Sequence, residues 1–297
     1  MRFVLCKAGE LGPFLPGLQA LEGDIRYPLT KDSTETFVIR HGDAYHPFFS
    51  DMGEPRFALA VEGDAVLGVV TVVLRRAQAG GHVVRAAYVC DLKVAPSARG
   101  KNVARDLFVR GLWLARREPR LFRWSMAYGV AMRGHKGDVM RSARRLHPAR
   151  LGGAIATLRI YFVPQPTLAA VDLRHAPGAP DASRVLDLSP DARLAPVSTL
   201  GKKDLLVGPS RTPMPLEHLG AGPSKWPHGF GAYLQAAARA AAADRTLCFA
   251  LDERSVAEAA WLDTLGIRTD SRATVYAMRL PFPPIRFERV HIATSEI

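Results

Sequence analysis

The chain has 297 residues, 40 Lys and Arg against 28 Asp and Glu, a formal net charge of +12 and 48% hydrophobic residues. That apolar share supports packed cores and excludes wholesale disorder, and the length suits two ordinary domains or one large one. No run approaches the roughly 18 apolar residues of a membrane span, and three scattered cysteines (Cys6, Cys90, Cys248) exclude a disulfide framework or a zinc cluster, so a soluble, cytoplasmic protein without a metal is expected.

Met1–Lys7 reads as a first strand without a signal-peptide pattern. Glu10–Glu22 has helical spacing broken by Pro13 and Pro16, and Pro28–Met52 is mixed and aromatic. Arg56–Val61 and Ala65–Arg75 form a hairpin through the turn Glu62-Gly63-Asp64, and Val83–Ala95 is a further strand. A helix over Asn102–Arg117 places Ala104, Leu107, Phe108, Leu112 and Ala115 on one stripe. A strand over Leu121–Tyr128, a basic helix over Arg133–Arg145 and a strand over Ala154–Val163 follow. Six prolines between 164 and 196 mark a boundary. Beyond it lie helices over Ala232–Ala243 and Ser255–Leu265, the latter capped by Gly266, and strands over Thr246–Leu251, Ala273–Leu280 and Ile285–Ala293. This helix–strand–helix–strand order echoes Asn102–Val163.

The charge is localised. Residues 101–150 hold 13 basic and 3 acidic groups, whereas the other 247 hold 27 and 25. At the head of this segment stands Tyr88–Ala104, YVCDLKVAPSARGKNVA. A strand runs through a proline turn and a basic glycine loop into a helix, a layout that turns free backbone amides and the helix dipole toward one spot. The loop has neither the spacing of a Walker motif nor that of a dinucleotide fingerprint. The local physics predicts an anion such as phosphate, with a solvated turn as the alternative.

The segment resembles the acetyl-CoA signature of the GNAT acyltransferase superfamily, [QR]-x-x-G-x-[GA] after a hydrophobic-x-Val-x-Pro strand end. Here the loop is Arg99-Gly100-Lys101-Asn102-Val103-Ala104, with Asn102 where the family most often has glycine. Asn tolerates a left-handed backbone better than most residues. The hairpin Glu62–Gly68 and the order of the following elements are similar to the family too. The resemblance covers about residues 1–165.

It implies an α/β (α+β) fold with a mixed, mostly antiparallel sheet flanked by helices. A GNAT acyltransferase domain occupies 1–165 and a degenerate GNAT-like domain 166–297, where Ala257–Arg268 is similar to a GNAT helix but His228–Ala232 lacks the charged loop. It also implies transfer of acetyl from acetyl-CoA to a primary amine by direct attack. Leu92, Lys93 and Val94 would hold pantetheine as an added strand, and Arg99, Gly100, Lys101, Asn102, Val103 and Ala104 the pyrophosphate. A backbone N–H near the strand's bulge would polarise the acyl carbonyl. Tyr88 stands where some members place a glutamate. Asp91, the only carboxylate between Asp64 and Asp106, is the candidate base or water-orienter, with strand-end satisfaction as the alternative. Tyr128 is the candidate thiolate proton donor, with packing as its alternative reading. Cys90 reads as a small buried hydrophobe.

Two other functions fit parts of the chain. Asn102 and the missing helix tyrosine suit a non-catalytic acyl-CoA sensor or partner-binding protein. The charge suits a nucleic-acid binder, against which Phe122 and Trp124 read as strand residues rather than stacking platforms. The acceptor amine and oligomeric state are not legible.

Overall fold

The computed structural model describes residues 1–28, 35–134, 137–138, 152–208, 210–226, 228–279 and 286–297. In the first half the strands are β1 (Arg2–Cys6), β2 (Tyr27–Pro28), β3 (Thr36–Arg40), β4 (Glu54–Glu62), β5 (Ala65–Ala79), β6 (His82–Val94), β7 (Met126–Gly134), β8 (Gly137–Asp138) and β9 (Gly153–Pro164). The second half adds β10 (Val185–Asp187), β11 (Asp204–Val207), β12 (Thr212–Pro213), β13 (Leu216–His218), β14 (Thr246–Asp252), β15 (Arg272–Arg279) and β16 (Arg289–His291). The helices are α1 (Leu15–Asp24), α2 (Pro47–Met52), α3 (Val103–Ala115), α4 (Gln165–Ala169), α5 (Phe230–Ala240) and α6 (Val256–Thr264).

One sheet follows the path β1-β4-β5-β6-β7-β15-β9-β14-β13. Six of its strands read alike from either end. β6 and β7 are parallel, β7–β15, β15–β9 and β9–β14 are antiparallel, and β14 and β13 are parallel. A pseudo-twofold between β15 and β9 relates β6–α3–β7 to β13–α5–β14. Parallel neighbours need a crossover, here a helix in each unit. The strand that follows each unit crosses to the other: β15 pairs with β7 and β9 with β14. The two halves therefore complete each other's sheet, and the core of each depends on the other.

A smaller sheet, β12-β11-β3-β2, joins the halves a second time. Its register pairs Leu205 with Ile39. Beside it Gly42, at φ 59°, passes so close to Gly201 that a Cβ would stand 2.2 Å from that carbonyl oxygen. The close approach locks the loop of Lys202 and Lys203 against the loop that leads into α2.

Most expected elements are present. The Glu62–Asp64 turn closes β4 on β5, with Gly63 at φ 58°. Gly266, at φ 74°, ends α6 as Ile267 N–H returns to the Leu262 carbonyl. Three expectations are corrected. The strand expected over Leu121–Tyr128 begins at Met126, because Pro119–Phe122 forms a 3-10 turn that leaves Phe122 43% exposed. The argument that set Phe122 and Trp124 in a strand fails with it. Arg133–Gly134 end β7 and Gly137–Asp138 form β8, so the basic helix does not begin there, and residues 139–151 lie outside the described ones. Leu112 is 57% exposed, since Val103, Leu107 and Ala115 carry the buried stripe of α3. The proline-rich stretch holds α4 and β10.

Candidate active site

The register of β6 on β5 breaks once. Val69 pairs with Lys93, but Thr71 pairs with Cys90, leaving Asp91 and Leu92 in a bulge. Asp91 has φ 53°, a left-handed conformation that a non-glycine residue holds only when its surroundings fix it. They do so here. The Asp91 carboxylate accepts from the Tyr45 hydroxyl on one oxygen and from Lys93 Nζ on the other. Lys93 also donates to Glu22 Oε1 at 3.0 Å, and Glu22 accepts the His41 main-chain N–H (3.0 Å) and lies 2.6 Å from His41 Nδ1. Glu22, His41 and Lys93 are each 2% exposed. Burial alone would lower the pKa of Lys93, but Asp91 and Glu22 raise it, so it stays charged. Burial, with the Lys93 charge beside it, holds His41 well below the usual histidine range and therefore neutral. Ligand-type atoms of Glu22, His41 and Asp91 lie within 4.8 Å of one another, but Lys93 Nζ bonds both carboxylates and is itself the cation among them.

On its other side β6 pairs with β7 over only three residues, ending at Tyr88 with Tyr128. Beyond that point the two strands no longer pair, although Gly129 still lies close against β6, where a Cβ would stand 3.0 Å from the Val89 carbonyl oxygen. Val89–Val94, bulge included, thus has β5 on one edge and no strand on the other among the described residues. This open edge leads through Pro96 to the loop. Gly100 has φ 81° and Asn102 φ 58°, so Asn102 adopts the left-handed turn that its residue type was expected to allow. Asn102 is the N-cap of α3, and the first donor inside the helix is Asp106 N–H to the Asn102 carbonyl. The amides of Asn102, Val103 and Ala104 therefore have no acceptor within the helix. Arg99, Gly100, Lys101 and Asn102 are exposed around them. Other arginines of the basic segment have local partners: Arg105 bonds Asp106, Arg110 lies 5.0 Å from the Phe3 ring centre, and Arg116 and Arg117 lie over Trp113.

Tyr88 and Tyr128 face each other where the strands part, stacked with ring centres 4.7 Å apart. Burial pushes both hydroxyls far above the usual tyrosine range. Tyr88 donates to the Glu296 carbonyl at 2.8 Å. The Tyr128 hydroxyl is buried beside the Arg75 guanidinium without a well-formed hydrogen bond. Arg75 forms a two-pronged pair with Glu296 at 2.7 and 3.0 Å. Burial keeps the Cys90 thiol protonated. The structure thus brings Tyr88, Asp91 and Tyr128 to one end of β6, with Leu92, Lys93 and Val94 running on to the loop. The Lys93 side chain points away from that loop, into the ion cluster.

Sequence reasoning missed the groups that come from far along the chain. Lys203 donates to the Ile297 main-chain oxygen and sits 4.7 Å from the Phe48 ring centre. Glu296 and Ile297 are carried in by the last segment. At the second half's counterpart of the parting strands, His218 and Cys248 end the parallel pair, and Thr294 fills the place. Its hydroxyl donates to the Cys248 carbonyl at 2.8 Å and lies 3.1 Å from His218 Nδ1. At the start of α5, Gly229 (φ 88°) is pressed against Pro177 and Gly178. That half's strand gap and helix start are both covered by its own chain.

No protein-family model matches the chain, and no curated protein does. Two solved structures of Saccharomyces cerevisiae N-myristoyltransferase with bound myristoyl-CoA match over 93% of this chain and over 82% and 78% of theirs, with TM-scores of 0.50 and 0.52 at 11% and 10% identity. The fold is a tandem GNAT fold. At such identities the match speaks for the architecture alone. The tandem GNAT arrangement explains the symmetric strand order, with one half keeping an open strand gap and the other a filled one.

Proposed function

We propose that this protein is an acyl-CoA-dependent N-acyltransferase whose donor site is the gap between β6 and β7. One relationship carries the reading: the bulged, one-sided edge Val89–Val94 runs directly into a left-handed loop and the free amides of a helix start. An extended amide-bearing chain such as pantetheine adds to such an edge, and a pyrophosphate suits Asn102–Ala104 with Arg99 and Lys101 around it. The fold neighbours with bound myristoyl-CoA support an acyl-CoA donor. Acetyl is our reading of the donor group, on the strength of the loop's resemblance to the acetyl-CoA signature.

In this reading the amide of the bulge at Asp91–Leu92 donates to the thioester carbonyl and stabilises the oxyanion as the amine attacks. Asp91, with both oxygens engaged, acts by holding the bulge in shape. Tyr128 is the proton donor to the leaving thiolate, its hydroxyl stored as a protonated phenol by burial. Tyr88 packs beneath it. The domain division at 165/166 is retained as a proposal, with the second half walling the acceptor side. A second reading, an acyl-CoA sensor without turnover, is favoured by the Tyr88 hydroxyl being bound to Glu296. Release of free thiol from acetyl-, octanoyl- and myristoyl-CoA against a broad panel of primary amines separates the two: turnover supports the transferase, and binding without turnover supports the sensor.

A further inference from the structure

Helix α3 turns one side to the sheet and leaves the other uncovered among the described residues. Val103, Leu107 and Ala115 are buried, while Val109, Leu112 and Trp113 are 55%, 57% and 51% exposed. Positions three and four apart share a helix face, so Val109 neighbours both Leu112 and Trp113, and the three form one apolar stripe rather than scattered exposures. Arginines bracket it at the same spacing. Arg105 stands one turn before Val109, and Arg116 and Arg117 one turn after Leu112 and Trp113. The last two guanidinium groups lie 4.4 and 5.5 Å from the Trp113 ring centre, and Arg110 lies over Phe3. A cation held on an aromatic ring keeps its charge. The nearby acids are already taken, Asp106 by Arg105 and Glu118 by the buried Arg56. Among the described residues no carboxylate pairs with Arg110, Arg116 or Arg117.

We propose that this outer face of α3 seats the protein on an anionic lipid bilayer. The aliphatic and indole groups enter the boundary between headgroups and acyl chains, and the arginines at either end of the stripe meet lipid phosphates. Charge complementarity selects the anionic surface. Val103–Arg123 holds six arginines against Asp106 and Glu118 alone, and both acids are neutralised within the fold. A nucleic acid is the other polyanion that such charge attracts, and the apolar groups argue against it. Val109 and Leu112 offer a base nothing to stack on, and Arg116 and Arg117 already lie over the Trp113 ring. A stripe of two aliphatic side chains and one indole between arginines matches the half-apolar, half-charged boundary of a membrane instead.

Vesicle co-sedimentation of the full chain tests this, at about 0.1 M salt and without acyl-CoA, so the outcome does not depend on the donor site. The chain is expected to bind vesicles of phosphatidylcholine with phosphatidylglycerol, to leave pure phosphatidylcholine vesicles largely unbound, and to release as salt rises. Each arginine brought to an anionic surface strengthens binding about fivefold, so Arg116→Glu with Arg117→Glu is expected to weaken it at least about 25-fold. Val109→Ser with Leu112→Ser is expected to weaken it at least about fivefold, a loss that charge attraction alone does not produce. All four positions are exposed, so the urea midpoints of both variants are expected to match that of the parent. A parent chain that stays unbound with the anionic vesicles, or variants that bind them within twofold of the parent, overturns the proposal. So does duplex DNA bound more tightly than the vesicles at the same salt, with binding lost in the glutamate variant and kept in the serine one, because the face is then a nucleic-acid surface.

Discussion

Lys93 and Glu22 form an ion pair at 3.0 Å, with their side chains 1% and 2% exposed. The pair ties β6 to α1 directly behind the bulge at Asp91. Its partners fill the remaining bonding positions: Asp91 on Lys93, and the His41 amide and ring on Glu22. A buried pair adds modest stability when intact, but removal of one member strands the other charge. Glu22→Gln and Lys93→Met are each expected to destabilise the fold by about 3–5 kcal/mol. Urea unfolding measures this, and a loss below about 1 kcal/mol contradicts it.

Asn102 sits at φ 58° in the loop that starts α3. A β-branched residue there pays the left-handed penalty of about 1–2 kcal/mol, which glycine avoids. Asn102→Val is expected to lower stability by that amount and to weaken acyl-CoA binding, while Asn102→Gly leaves binding within threefold. Equal binding by all three chains shows that the loop does not touch the ligand.

Histidine burial sets an acid limit. Burial lowers His218 to about 3 and holds His41 well below 6.5. The unfolded chain takes up these protons near pH 6.5 while the native state does not, so stability falls as pH drops from about 6.5 toward 3. Each group contributes a slope of about 1.4 kcal/mol per pH unit inside its window. His218→Gln is expected to flatten the slope by about one proton's worth in urea titrations at pH 4–6. An unchanged slope contradicts the burial of His218.

Glu296 holds three partners at once: Arg75 on its carboxylate, Ser189 on the same carboxylate, and the Tyr88 hydroxyl on its carbonyl. Glu296→Ala strands the Arg75 guanidinium, whose side chain is 3% exposed, and is expected to cost about 3–5 kcal/mol. A change of less than about 1 kcal/mol in thermal or urea unfolding contradicts the account of this tail.

How much of this was legible follows from distance along the chain. The loop from Arg99 to Ala104 is local, so residue types and spacing carried its shape, including the left-handed Asn102. The echo of Asn102–Val163 in the second half was legible for the same reason, as two local runs of alternating elements. The exchange of β15 and β9 was not, because strands that pair across about 80 to 150 residues look like any other strands. The bulge was hidden too. Asp91 is held left-handed by Tyr45 and Lys93, and nothing in the run V-C-D-L-K marks that state. Lys203 and Glu296 reach the site only through the strand exchange and the small β3–β11 sheet, so no motif near Arg99 pointed to them. The strand over Leu121–Tyr128 was displaced because Pro119 starts a tight turn that hydropathy alone does not register.

The central claim is that acyl-CoA lies in the gap between β6 and β7 with its pyrophosphate on Asn102–Ala104. Calorimetry of acetyl- and myristoyl-CoA binding to the parent chain and to Arg99→Glu tests it most directly. The account predicts one site per chain, affinity that falls with salt, and at least tenfold weaker binding by Arg99→Glu with unchanged stability. No binding of either acyl-CoA, or equal binding by the two chains, contradicts it.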